Sequence, residues 1–331
     1  MKTSLLISQT TRTLSGQVSM LLVWFTVMFC SPALAGNRSG VILPCTSISA
    51  DKASNSATPA FTALDNIIIK EQAAADFGVT GKYSRTCIIS APQGWVFKAG
   101  KGSLSYKLNK DIRLAKLTVE YNTIQIEMTV SGTSSLDHIS ISGIQVQALD
   151  GSDIDSEYQL FRSAVNPGTA TMRNIKCTTQ PNGSGGTSFY SIRQSAGVVA
   201  KLVFTSKPSI AVAGSEFEEQ PSVITTDQFG NFTREGIPPV LHVYIKLSSG
   251  AGTLSGNTQM NIGSAGGNGA ITFSGLSVSE KGKKKLMVTA APLSFAITNN
   301  FDVESGLSVS YDSENMCVAW PLNNLFSKKI I

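Results

Sequence analysis

The feature that most restricts this chain is a rhythm of two residues. In residues 116–121, Leu117, Val119 and Tyr121 fall on one side, and Lys116, Thr118 and Glu120 on the other. Residues 123–130 repeat the pattern, with Ile124, Ile126, Met128 and Val130 making the apolar side. Successive side chains of an extended strand point to opposite faces, so such alternation belongs to a half-buried antiparallel strand and is useless to a helix of period 3.6. Asn122 separates the two runs and marks a turn. Beyond the N-terminal segment, no stretch sustains a 3.6-residue apolar period. The expectation is an all-β chain with almost no helix.

A length of 331 residues suits two domains better than one. Charged residues are only 15% of the chain, against roughly 25% in an average soluble protein, and Ser, Thr, Gly and Asn take their place. Seven strand-like runs (200–205, 209–213, 222–227, 241–248, 270–279, 284–291 and 300–303) follow one another with turn signals between them. That density predicts a Greek-key sandwich. An internal echo links the two halves. In residues 138–146, Ile139 and Ile141 give way, across Ser142-Gly143, to Ile144 and Val146 one position out of phase. In residues 270–278, Ile271 and Phe273 give way across Ser274-Gly275 to Leu276 and Val278. A one-residue shift at glycine predicts a β-bulge used alike in both halves. The expected architecture is two tandem antiparallel β-sandwiches behind an N-terminal signal peptide. Its segments are residues 1–35 (signal), 36–195, 196–304 and an incomplete tail, 305–331.

The signal is read from the positive residues Lys2 and Arg12, the apolar run of residues 20–30 and Pro32-Ala33-Leu34-Ala35 before Gly36. The apolar run falls short of the ~20 residues of a spanning helix. Cys30 follows Phe29 inside that run, which argues against lipid attachment. The expectation is export to the cell surface or beyond, with no membrane span in the mature chain. Removing Lys2 and Arg12 from 27 basic residues leaves 25 against 22 acidic ones, a net +3 too small to indicate nucleic acid. Lys281 and Lys283-Lys284-Lys285 form the one dense basic cluster, read as a solvated hairpin tip or a polyanion contact.

Four cysteines remain after the signal: Cys45, Cys87, Cys177 and Cys317. Export permits disulfides, and four cysteines allow three connectivities. Cys87 and Cys177, both in strand-like runs of the first half, are the preferred pair. Asp153, Asp155 and Glu157 alternate as oxygen ligands do in calcium loops, though the glycine of an EF-hand loop is missing. They read as a calcium site at the junction or as a hydrated acidic loop, and no other cofactor is expected. Trp95, sharing a face with Phe97, reads either as a glycan-stacking platform or as core. His242 alternates with Tyr244 and Lys246 opposite Val243 and Ile245, so it faces solvent. The Gly-rich runs 182–186 and 263–269 open no helix and cradle no phosphate. With two histidines in the mature chain and no catalytic motif, an enzyme is not expected.

The second half resembles a bacterial immunoglobulin-like repeat domain of large secreted and cell-surface proteins, of the adhesin type. The residues that carry the resemblance are 200–205 with Lys207-Pro208-Ser209, then Ala213-Gly214, Gln220-Pro221 and Asp227-Gln228-Phe229-Gly230-Asn231, followed by residues 252–256 and 271–276. The first half resembles the β-rich domain that precedes such repeats, through residues 137–146 and Asn166-Pro167-Gly168-Thr169-Ala170. What the resemblance implies is an immunoglobulin-like fold and a role in adhesion or as a structural spacer, with an extracellular glycan or protein as partner. The alternative is a carbohydrate-binding module accessory to a secreted glycan-degrading system. The tail departs from such proteins, for residues 305–331 complete no domain and hold no LPxTG motif. A truncated relative is the expectation.

Overall fold

The computed structural model describes residues 44–79, 81, 83–107, 111–306, 308–312 and 315–319. The expected signal segment and residues 320–331 lie outside them. The first strands are β1 (Cys45–Ser49), β2 (Thr62–Ala63), β3 (Ile67–Lys70), β4 (Arg85–Ser90), β5 (Trp95–Phe97) and β6 (Ser103–Tyr106). Next come β7 (Ile112–Val119), β8 (Thr123–Val130), β9 (His138–Ser142), β10 (Gln145–Ala148), β11 (Glu157–Phe161) and β12 (Ser188–Ser195). The second half opens with β13 (Lys201–Ser206), β14 (Ile210–Val212), β15 (Ser222–Thr226), β16 (His242–Ser249), β17 (Leu254–Ser255) and β18 (Gln259–Asn261). It continues with β19 (Ala270–Thr272), β20 (Ser277–Val278), β21 (Gly282–Ala290), β22 (Leu293–Ile297) and β23 (Phe301–Glu304). A hairpin of β24 (Ser308–Asp312) and β25 (Asn315–Ala319) follows. The single helical turn among the described residues is a 3-10 turn, Ala50–Lys52, so the all-β expectation holds. No helix among them is long and apolar enough to cross a membrane.

In the first half, six strands pair in the order β1-β12-β11-β4-β8-β7, parallel between β1 and β12 and antiparallel elsewhere. Two smaller antiparallel sheets, β2-β10-β5 and β3-β9-β6, complete this half. Side chains of all three sheets meet in one apolar cluster, with Ile124, Ile126, Ile139 and Ile141 at 0% exposure. The inward face read for residues 123–130 is the observed one. That of residues 116–121 runs out at Tyr121, which lies in the turn and is exposed.

In the second half, β14-β23-β21-β22-β13-β15-β19 form one path, with β16 on β21 and β18 on β16. A separate cluster, including Val223, Val243, Leu286 and Val288, fills its interior. The two clusters share no residue.

Two expectations are corrected here. Gly143 and Gly275 carry left-handed backbones, φ +70° and +65°, but neither makes a bulge within one strand. β9 and β10 belong to different sheets, as do β19 and β20. The glycine is the corner at which the chain leaves one sheet for another while its apolar residues stay inward: Ile144, Val146, Leu276 and Val278 are all buried. The lysine cluster is not a hairpin tip. Lys283, Lys284 and Lys285 lie within β21, whose alternation turns Lys284 inward to 1% exposure. Its Nζ donates to Lys281 O at 3.0 Å, and Lys283 pairs with Asp302 at 3.6 Å on the outside.

Candidate functional site

β15 ends at Thr226 and the chain reverses at once through residues 227–231. Asp227 organises the reversal. Its fully buried carboxylate accepts four hydrogen bonds: Oδ1 from the backbone N–H of Phe229 (2.9 Å) and Asn231 (3.0 Å), Oδ2 from Asn231 Nδ2 (2.9 Å) and Gly197 N–H (2.8 Å). An Asp side chain bonding the backbone two residues on is the usual device of such turns, and a charged acceptor makes each bond stronger. Gly230, at φ +94°, takes the left-handed position that closes the turn.

So braced, the turn reaches the first half. Gln228 Nε2 donates to Asp51 Oδ1 at 2.9 Å, and Gln228 Oε1 accepts from Ala57 N–H at 2.9 Å. Asn231 Nδ2 donates to Gly151 O at 2.8 Å. Phe229 packs against the first apolar cluster rather than its own. Gly151 is there because a Cβ would stand 2.1 Å from the Phe229 ring. Asn55 holds the segment from behind, donating to Asp150 Oδ1 (2.9 Å) and accepting Gly151 N–H (3.1 Å). Backbone and side-chain donors from Ser152 and the Asn55 amide lower the Asp150 pKa below the usual carboxylate value.

The connecting segment is tied at consecutive residues. Gly197 N–H donates to Asp227, and Gly197 O accepts from Thr233 Oγ1 at 2.7 Å. Val198 N–H donates to Asp51 Oδ2 at 2.8 Å, and Val199 N–H to Glu235 O at 3.0 Å. The linker's polar groups are therefore bonded to both sides. These bonds, together with the Phe229 ring, tie the connecting segment and the turn to both cores.

The residues expected to carry chemistry stand elsewhere. Trp95 is 4% exposed in the first cluster, its ring 6.0 Å from that of Tyr158 at 57°, and Phe97 beside it is fully buried. β5 pairs with β10 and turns these rings into the core, so Trp95 offers no sugar-stacking face.

Asp153, Asp155 and Glu157 are not gathered into a cage, and no described group of three or more His, Cys, Asp or Glu is placed to hold a metal. Asp153 accepts from Ser156 Oγ (3.2 Å) and from the Tyr158 hydroxyl. Burial, and then the Asp153 carboxylate, push that phenol's pKa up. Asp155 turns back at φ +67°, and Glu157 enters β11 opposite Arg193. Each carboxylate has been drawn off by its own local geometry.

Cys87 and Cys177 are both free thiols, so the expected Cys87–Cys177 bond is not formed in this structure. Burial pushes the Cys87 thiol up to about 11, against the Arg162 guanidinium, which favours the thiolate. Arg162 is itself buried and donates to Pro167 O (2.8 Å) and Ala170 O (2.6 Å), pinning the loop that covers β4. The side chain of Cys317 lies outside the described residues. His138 and His242 face outward on β9 and β16.

No protein-family model matches the chain, and no curated protein matches it either.

Proposed function

We propose that the chain is a non-enzymatic protein of the cell exterior, built of two tandem immunoglobulin-like sandwiches and acting in adhesion or as a structural spacer. The observation that supports this reading is the clamped linker. A binding surface held away from a cell must resist bending, and a junction of short polar bonds with one inserted aromatic ring supplies that stiffness. Export through the N-terminal signal and display of loops on a rigid scaffold complete the proposal.

The test is retention of the purified chain on intact cells, with and without EDTA, beside small-angle scattering of the same samples. An adhesive spacer gives one maximum dimension that chelation leaves unchanged. Release of reducing sugar from a glycan, or a scattering profile demanding freely swinging halves, would sink the reading. Retention on cells favours adhesion over the bare spacer.

A further inference from the structure

Four strands of the second half, β18-β16-β21-β22, pair side by side and share an outward face. Alternation sends Val243, Ile245, Leu286 and Val288 into the core and the intervening side chains outward. Register sets Gln259, Tyr244 and Thr289 in one row across three strands, and Lys246, Met287 and Ile297 in the next. Tyr244 is 49% exposed, Phe295 60% and Ile297 45%. Two rings and an isoleucine are thus exposed on one sheet face, spaced across neighbouring strands.

The charge on this face has one sign. The four strands contain Lys246, Lys283, Lys284 and Lys285 and no Asp or Glu. Lys284 is buried and Lys283 is paired with Asp302 of β23, which leaves Lys246 and Lys285 on the face. At its edge, β22 parts from β13 beyond the pair Lys201↔Ser294. A groove of about 360 Å³ opens there, lined among others by Val203, Thr205, Lys207, Ile297 and Asn299.

We propose that this face and groove bind a single chain of a carboxylate-bearing polysaccharide. Tyr244 and Phe295 stand two strands apart, about 10 Å at the usual strand spacing, which suits two stations along a polymer. Their apolar rings meet the C–H faces of sugars. The Gln259 amide and Thr289 hydroxyl offer hydrogen bonds to sugar hydroxyls, and Lys246 and Lys207 meet carboxylates. A flat face running into an open groove fits an extended polymer and not an enclosed small molecule. An acidic protein fits less well, because an anchoring side chain favours an enclosed pocket and this groove is open. The inference rests on the adhesive reading and names its ligand.

The test is affinity electrophoresis of the full purified chain through gels holding polygalacturonate, neutral dextran or polyglutamate. The expected result is retardation by polygalacturonate alone, relieved by roughly 0.5 M salt as exposed charges are screened. Phe295→Ala and Lys246→Glu, both exposed and folded by circular dichroism, each weaken it about tenfold or more. Unchanged retardation in both variants, or equal retardation by polyglutamate, overturns the proposal. Cells that retain the chain while polygalacturonate does not also overturn this ligand but leave the adhesive reading standing. Failure of both probes removes both.

Discussion

Cys87 shows how far environment outruns residue type. Its thiol lies wholly inside the first core, and burial raises its pKa to about 11. Only the thiolate is nucleophilic, so Cys87 should resist iodoacetamide at mildly alkaline pH while partly exposed Cys177 reacts. Peptide mapping after brief labelling checks this, and equal labelling of the two would contradict it. Asp76 and Asp150 report on acid stability. Asp76 Oδ2 accepts the N–H groups of Ala73 (2.8 Å) and Gln72 (2.9 Å) and the Asn174 amide, and these bonds, Ala73's foremost, lower its pKa. Both carboxyls therefore titrate below their unfolded values, so in that range the unfolded chain binds more protons. Their stabilisation is complete above the ordinary carboxylate range, about pH 4, and is lost as pH falls through the lowered values. Asp76→Asn should flatten the acid limb of a urea-denaturation series. An unchanged slope would mean that other carboxylates carry it.

Elements are decided by alternation, and their ends by single residues. The strand pattern of β8 and β16 is legible because a strand half in water and half in core must alternate. Ile126→Ala, which opens a cavity where exposure is 0%, should cost about 2–5 kcal/mol in chemical denaturation. The glycine corners were legible as irregularities, but not as crossings, since pairing partners leave no local mark. Left-handed φ at Gly143 and Gly275 strains any other residue although a Cβ would find room at both. Gly143→Ala and Gly275→Ala should each destabilise by about 1 kcal/mol, and full stability in both would argue that the corner relaxes.

The whole molecule turns on the junction. Asp227→Ala strips a buried acceptor from four donors, among them the linker's Gly197, and should cost about 2–4 kcal/mol. Gly151→Leu places a side chain where the Phe229 ring lies. It should leave each core folded while speeding proteolysis within residues 196–200, read by mass spectrometry of the fragments. Resistance equal to that of the parent chain would show that the clamp does not govern the linker.

Local order was determined by sequence alone: the all-β class, the inward residues of β8 and β16, and most strand positions of the second half. These follow from side chains at fixed spacing along an extended backbone, information that is one-dimensional. The turn at residues 227–231 was recognisable as a turn, yet its partners Asp51, Ala57 and Gly151 stand 80 to 177 residues away. Only the tertiary structure could make Phe229 part of the other core, bury Trp95, turn Lys284 inward and separate Asp153 from Glu157. Each of these depends on which distant surface arrives opposite a side chain, and a periodic pattern specifies that a face is buried without specifying against what.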